Sequence, residues 1–256
     1  MNREELIKKI TEKKEFSQLP EKDVEMAYSH FEKRQTSEEE KIKLTRKLLR
    51  EVFSSFVSKK ILSPKNKDYQ WILRKHLSTR ERLPAYNEIY KRILKDTGKK
   101  VSIIDLGCGI NGFSYQYFKD LGLNVNYLGI EAIGQLVDLT NDYFKRQNIQ
   151  GKLFHLSLFE KEKIKDLIKK TKSPKITFLF KTMDSLEMLK RNYSLELIEE
   201  IAGISDRVCV SFATKSFVKR EIFKAKRTWF TDFIQEKFKI IEDFETQGER
   251  YILFEK

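Results

Sequence analysis

The chain has 256 residues, 40% of them hydrophobic and 35% charged, with 51 Lys+Arg against 38 Asp+Glu for a net charge of +13. That apolar share supports a packed core in one domain of about 150 residues with a smaller companion, and it excludes a disordered or fibrous chain. No apolar run approaches the roughly eighteen residues that cross a bilayer, and no early stretch reads as a secretory leader. A soluble, cytoplasmic protein without membrane contact is therefore expected. Two cysteines, Cys108 and Cys209, have neither the number nor the spacing of a disulfide framework or a zinc site. Both are expected at buried strand ends, and no metal is expected.

The charge is uneven. Residues 1–100 hold 26 Lys+Arg against 16 Asp+Glu, and the rest hold 25 against 22. A basic excess on the smaller part points to a polyanion, because neutralising phosphates releases counterions whatever the base sequence. The plainer alternative is a lysine-rich solvated helical face.

In chain order, residues 1–75 read as helices only. "NREELIKKITEK" is amphipathic, "EKDVEMAYSHFEKR" follows Pro20, and "TSEEEKIKLTRKLLREVFSSFVSKK" opens with Ser37 and Glu40 at capping-box spacing. In that third helix Ile42, Leu44, Leu48, Leu49, Val52, Phe53 and Phe56 supply the buried side, leaving Lys43, Arg46, Lys47 and Arg50 as a basic stripe. Next, "HLSTRERLP" places Ser78 and Glu81 at capping-box spacing as well. A helix begun there would carry Pro84 in its second turn, so "STRER" is expected as a turn. The helix after Pro84 shows one apolar face through Tyr86, Ile89, Tyr90, Ile93 and Leu94.

From "KKVSIIDLGCG" onward, β-branched runs alternate with helical ones, the pattern of a parallel sheet with crossover helices. The strands expected are "VSIIDL", "NYLGIEA", "KLFHLSL", "KITFLFKT" and "RVCVSFA". After a helix around "TWFTDFIQEKF" come "KIIEDFE" and "RYILFEK" across a glycine-containing turn, so the sheet ends in an antiparallel pair.

Gly107, Gly109 and Gly112 in "IIDLGCGING" have the spacing that brings backbone close to a ligand at a helix N-terminus. Glu131 ends the second strand nineteen residues after Gly112, where a carboxylate accepts from both hydroxyls of an adenosine ribose. A nicotinamide cofactor and S-adenosylmethionine would use these two features equally. Asp105, two residues before the first glycine, separates them, since an acid there attracts an ammonium group and repels a pyrophosphate. The antiparallel strand pair also favours a methyltransferase. The methionine carboxylate then needs a cation, which Arg80 or Arg82 can supply as a two-pronged donor.

At these residues the chain resembles a known family, the small-subunit ribosomal RNA methyltransferases that confer aminoglycoside resistance by methylating N7 of a guanine in the decoding-site helix. "HLSTRERLP" is similar to its His-x-Ser-Thr-Arg-Glu-Arg-Leu-Pro signature, "IIDLGCGIN" to its strand and loop, and "VSFATKSF" to its late Ser-Phe-Pro-x-Lys-Ser segment, with Ala213 in place of the proline. The resemblance implies an α/β fold, a Rossmann-like S-adenosylmethionine-dependent methyltransferase domain over 76–256, preceded by an all-helical, basic rRNA-binding domain over 1–75. It implies cofactor contacts from His76, Leu77, Ser78, Arg82, Gly107 and Glu131, closure by Phe56, and an adenine beside Ser157 and Leu158. That last position departs from the acid that many relatives of the fold carry. A monomer that meets the assembled small subunit is also implied.

Guanine N7 carries an in-plane lone pair and no proton, so alignment matters more than a general base, and no catalytic dyad is expected. "FKTMDSLE" stands where an exocyclic-amine methylase has a Pro-Pro-aromatic loop, and neither cysteine is placed for pyrimidine C5 chemistry. Target positioning is expected from Lys181, Lys215 and Phe217, with Lys219, Arg220, Lys224, Lys226 and Arg227 beyond, and phosphate contacts from Arg46, Lys47 and Arg50. Trp229, at helical spacing from Phe233, is expected in the core. The rival readings are methylation of another rRNA position such as adenine N1, a non-catalytic RNA-binding or ribosome-assembly protein of the same fold, and a nicotinamide-dependent oxidoreductase.

Overall fold

The computed structural model describes residues 3–54, 61, 68–214 and 227–256. Three helices open the chain: α1 (Arg3–Thr11), α2 (Glu21–Ser29) and α3 (Glu38–Leu49). Ser37 caps α3 by accepting from the Glu40 backbone N–H at 3.2 Å, and acids in its first turn with Arg46 and Lys47 in its last complement the helix dipole. A π-helical turn, Arg50–Ser54, continues it. Leu6, Ile10, Phe16, Val24, Ala27, Ile42, Leu49 and Val52 form the core of this region, and Ala132 and Leu189 from the sheet domain join it. The helical part is thus packed on the site end of the sheet.

Two short helices, α4 (Tyr69–Leu73) and α5 (Leu77–Arg82), precede α6 (Tyr86–Ile93). The "STRER" segment is therefore helical, against the expected turn. The helix begins two residues earlier than the Ser78 cap would place it and stops before Pro84, so the missing proline N–H falls between α5 and α6 and breaks no bond within either.

All seven expected strands are present: β1 (Lys100–Leu106), β2 (Asn124–Glu131), β3 (Gly151–His155), β4 (Lys175–Phe180), β5 (Arg207–Ala213), β6 (Lys239–Thr246) and β7 (Glu249–Glu255). They form one sheet in the order β3-β2-β1-β4-β5-β7-β6. The first five run parallel, and β7 enters antiparallel between β5 and β6. Central strands are buried on both faces, which is why they read as continuous apolar runs, whereas edge strand β6 alternates. Two further cores lie on the two faces of the sheet. One is rich in aromatics, including Tyr86, Tyr90, Phe118 and Phe178, and the other is aliphatic around Ile104, Leu179, Leu197 and Val210.

The crossover helices are α7 (Tyr115–Asp120), α8 (Gly134–Arg146), α9 (Lys161–Lys170), α10 (Met183–Leu189), α11 (Tyr193–Ala202) and α12 (Thr228–Lys237). Trp229 is 43% exposed, contrary to the core expectation, because Phe230 and Ile234 take the buried stripe of α12 one residue out of phase with it. Strand order reverses between β1 and β4, and open sheets of this kind bind ligands at the carboxyl ends flanking that point. Among the described residues, no helix is long and apolar enough to cross a membrane.

Candidate active site

A cleft opens at the carboxyl ends of β1, β2 and β4. Its glycine loop follows β1. Gly107 and Gly109 have φ of +71° and +53°, a backbone region that L side chains rarely adopt. A Cβ on Gly107 would also meet Thr182 at 2.8 Å, and Thr182 is fixed there by its hydroxyl bond to the Leu106 carbonyl.

Asp105 ends β1 and is 1% exposed. Its Oδ2 accepts from Tyr127 Oη at 2.5 Å and Asn111 Nδ2 at 2.7 Å, while Asn111 Oδ1 accepts from Tyr86 Oη at 2.8 Å. Burial raises the Asp105 carboxyl above its ordinary range, and these two donors hold it back. Glu131 ends β2, where Oε2 accepts from Gly109 N–H at 2.7 Å and Oε1 from Ile133 N–H at 2.9 Å, so the acid fastens the glycine loop to the start of α8. Burial raises it as well.

From the other side α5 delivers His76, Ser78 and Arg82. The His76 ring bonds Ser78 Oγ at 3.0 Å, and burial beside Arg82 and Lys181 pushes it down to about 3, so the imidazole is neutral. Arg82 is 2% exposed and lies over the Phe180 ring, and its Nε donates to both oxygens of Glu249 at 3.1 Å. Its Nη2 is buried in the cleft wall with no hydrogen-bond partner. Arg80 is exposed, so Arg82 is the arginine that the site selects. Glu249, from the start of β7, also accepts from Ser211 and from Lys181 at 3.2 Å. Burial alone would raise its carboxyl, but Arg82 and Lys181 outweigh burial and hold it below the usual range.

Several expectations are corrected by this geometry. Lys181 lines the cleft, but its ammonium is bound between Glu81 and Glu249, where it supports Arg82 instead of facing RNA. Glu81 therefore pairs with Lys181. In the basic stripe, Arg46 donates to the Ile10 and Lys9 carbonyls, and Arg50 to Glu15 at 2.6 Å while covering Phe16. Both tie α3 to the α1–α2 segment, because an arginine beside unbonded carbonyls is recruited to them, and only Lys47 of the three stays exposed and outside such bonds. Arg227 pairs with Asp184 at 2.7 Å and the Ala213 carbonyl. Leu158 lines the cleft as expected, but Ser157 is fully buried, with Oγ accepting from Phe159 N–H at 3.1 Å, and neither it nor Leu77 lines the wall. Phe56, Lys215, Phe217, Lys219, Arg220, Lys224 and Lys226 lie outside the described residues. Phe53, three positions before Phe56, lines the cleft.

Sequence reasoning missed Glu249, Asn111, Thr182 and Asp23. Asp23 reaches the cleft from the first turn of α2 and is 2% exposed. Burial raises its carboxyl to about 7, with a contribution from Glu131 and Glu160 and an opposing bond from Ser157. Among the described residues, no group of three His, Cys, Asp or Glu is placed to hold a metal ion.

An open parallel sheet with an inserted antiparallel last strand, and a glycine-loop cleft that presents acids from β1 and β2, defines the methyltransferase class of α/β domains. Within that class the profile of the ribosomal RNA methyltransferase (FmrO) family matches residues 66–238, and the chain belongs to that family. It is 43% identical over 60 residues to a 16S rRNA (guanine(1405)-N(7))-methyltransferase of Proteus mirabilis, covering 23% of this chain and 21% of that one. Over 145 residues it is 26% identical to the enzyme of the same name from Micromonospora rosea, covering 57% of this chain and 49% of that one. The chain thus spans about half the length of these curated relatives or less. The crystal structure of the 16S rRNA methyltransferase RmtF with S-adenosyl-L-homocysteine superposes with a TM-score of 0.81 at 19% identity, covering 100% of this chain and 99% of that one. The 16S rRNA methylase RmtB superposes with a TM-score of 0.77 at 19% identity, over 100% and 99% of the two chains. Both confirm the fold.

Proposed function

We propose that the protein transfers a methyl group from S-adenosylmethionine to N7 of the decoding-site guanine (guanine 1405) of 16S rRNA in the small ribosomal subunit, and so confers aminoglycoside resistance. The observation that carries this reading is Arg82, whose buried Nη2 is a cationic donor without a hydrogen-bond partner and which lines a cleft together with Asp105 and Glu131. A buried unsatisfied guanidinium N–H is costly, and an amino-acid carboxylate relieves it. Asp105 suits the ammonium of the same amino acid, and Glu131 suits ribose hydroxyls. Apolar Leu158, Phe159 and Ile133 suit the two faces of a base. One methionine nucleoside satisfies all three polar groups.

When bound, S-adenosylmethionine supplies an electrophilic methyl on a sulfonium. Guanine N7 has a lone pair and no proton to lose, so no side chain of the site has to act as a base. The buried, neutral His76 and the raised Asp105 and Glu131 are in keeping with binding and orientation as the work of the site. Gly107 and Gly109 let backbone approach the cofactor, and Glu249 with Lys181 fixes the direction of Arg82.

Residues 1–75 are proposed as the rRNA-binding part and 76–256 as the catalytic part, with the protein working as a monomer on the assembled subunit in the cytoplasm. Lys47 is the stripe residue proposed to reach phosphate. Lys215, Lys219 and Arg220, with Phe217 stacking on the base, are proposed on the target side from their place in the sequence after β5. The test incubates unmodified small subunits with the protein and S-adenosylmethionine and maps methylated nucleotides by primer extension and mass spectrometry. New 7-methylguanosine at guanine 1405 is expected. Methylation of a neighbouring adenine, or subunit binding without methylation, overturns the assignment.

A further inference from the structure

We propose that Asp23, delivered by the N-terminal helical region, recognises the exocyclic amine of the cofactor's adenine, so that the nucleoside pocket is completed by α2 and not by the sheet domain alone. The proposal rests on the reading that the cleft takes S-adenosylmethionine. Asp23 sits in the first turn of α2, where an acid complements the helix dipole from an exposed position, as Glu21 does two residues earlier. Dipole stabilisation does not require burial, yet Asp23 is 2% exposed, lines the cleft, and has one oxygen, Oδ2, with no hydrogen-bond partner. A buried acceptor left unpaired is costly, and more so if charged, so a donor from a ligand is the simplest reason to keep it.

Its position selects the ligand group. Asp23 interacts with Ser157, Glu131 and Glu160, which places it over the loop after β3, on the β3 side of the ribose-binding acid. A base that extends from a ribose held by Glu131 meets Leu158 and Phe159 there. Neither polar side chain of that loop lines the cleft, since Ser157 is turned inward onto the Phe159 N–H and Glu160 pairs with Lys163. Adenine presents an amine on this edge and apolar faces above and below, which matches one open acceptor between apolar walls. Guanine or hypoxanthine would set a carbonyl oxygen against the ionised Asp23, acceptor against acceptor. The raised carboxyl, which burial pushes up to about 7, agrees with a group that lacks its donor in the ligand-free protein.

The test is calorimetric. Binding of S-adenosylhomocysteine is compared with binding of its 6-desamino analogue, in which purine replaces adenine, for the wild type, Asp23→Ala and the near-isosteric Asp23→Leu. The wild type is expected to prefer the adenine ligand about ten- to hundredfold, the worth of one hydrogen bond to a charged group. Both variants should lose that preference, weakening S-adenosylhomocysteine while binding the desamino analogue as the wild type does. Because each variant removes an unsatisfied buried acid, neither should melt below the wild type without ligand. A preserved adenine preference in either folded variant overturns the role of Asp23. Failure of the wild type to bind S-adenosylhomocysteine at all overturns the cofactor reading itself, which is a different result.

Discussion

Replacing Asp23 by Asn should stabilise the ligand-free protein by an amount that grows as pH rises from about 4 to 7. The carboxyl stands at about 7 in the folded chain against an ordinary 3.8, chiefly through burial, with Glu131 and Glu160 adding to it and Ser157 opposing. A raised carboxyl binds its proton in the folded state through a window where the unfolded chain has already lost it. Stability conferred by that proton is therefore present at low pH, falls as pH rises from about 4 to 7, and stays at its lower level beyond. Three units at 1.36 kcal/mol each give about 4 kcal/mol as the full fall. Asn is a neutral stand-in for the protonated acid. The difference between Asp23→Asn and wild type should thus start near zero at pH 4 and climb to about 4 kcal/mol above pH 7, or roughly 10 °C in melting temperature for a chain of this size. The assay is urea and thermal unfolding of both proteins from pH 4 to 8.5, read as the difference curve, in which other titrating groups cancel. Saturating S-adenosylhomocysteine should shrink the difference by giving the carboxylate its donor. A difference that is flat across the range, or an Asn variant that is less stable at pH 8, would refute a buried Asp23 with one open oxygen.

The ion pair behind the cleft gives a second expectation: Arg82→Ala leaves Glu249, which is 1% exposed, with only Lys181 as a cation, and should cost about 3 kcal/mol in denaturant unfolding. Adding Glu249→Gln should recover part of that stability, with S-adenosylhomocysteine binding still absent by calorimetry. Gly107→Ala combines a φ of +71° with a Cβ placed 2.8 Å from Thr182, whereas Gly98→Ala has φ +78° and nothing within 4 Å. Both should lose about 1 kcal/mol to backbone strain, and only Gly107→Ala should also weaken cofactor binding, by tenfold or more. On the basic stripe, Lys47→Ala should lower the slope of log affinity against log salt for small subunits by about 1. Arg46→Ala should lower melting temperature instead, because its guanidinium holds the carbonyls of Lys9 and Ile10.

The sheet was legible because its chemistry is local. Central strands covered on both faces must be apolar throughout, so β1, β4 and β5 stand out in "VSIIDL", "KITFLF" and "RVCVSFA", and the absence of a helix between β6 and β7 forces an antiparallel pair. The glycine loop, Asp105 and Glu131 were legible for the same reason, since backbone conformation and strand ends fix where those groups point. What was not legible depends on contacts across the chain. Arg82 is one of two arginines in a five-residue stretch, and only Glu249, 167 residues later, decides which of them turns inward. Lys181 looked like a cation offered to RNA because the sequence does not reveal that two buried carboxylates claim it. The stripe of α3 read as a phosphate grip because helical periodicity separates buried from exposed positions but is blind to carbonyls at the end of a neighbouring helix, which capture Arg46. Asp23 is the extreme case. In "PEKDVEM" it is an ordinary first-turn acid, and it becomes unusual only when α2 docks against the loop after β3 and removes water from one of its oxygens. A site assembled from the carboxyl ends of a sheet can therefore be found from sequence, while the groups that tune it come from elements whose docking must first be known.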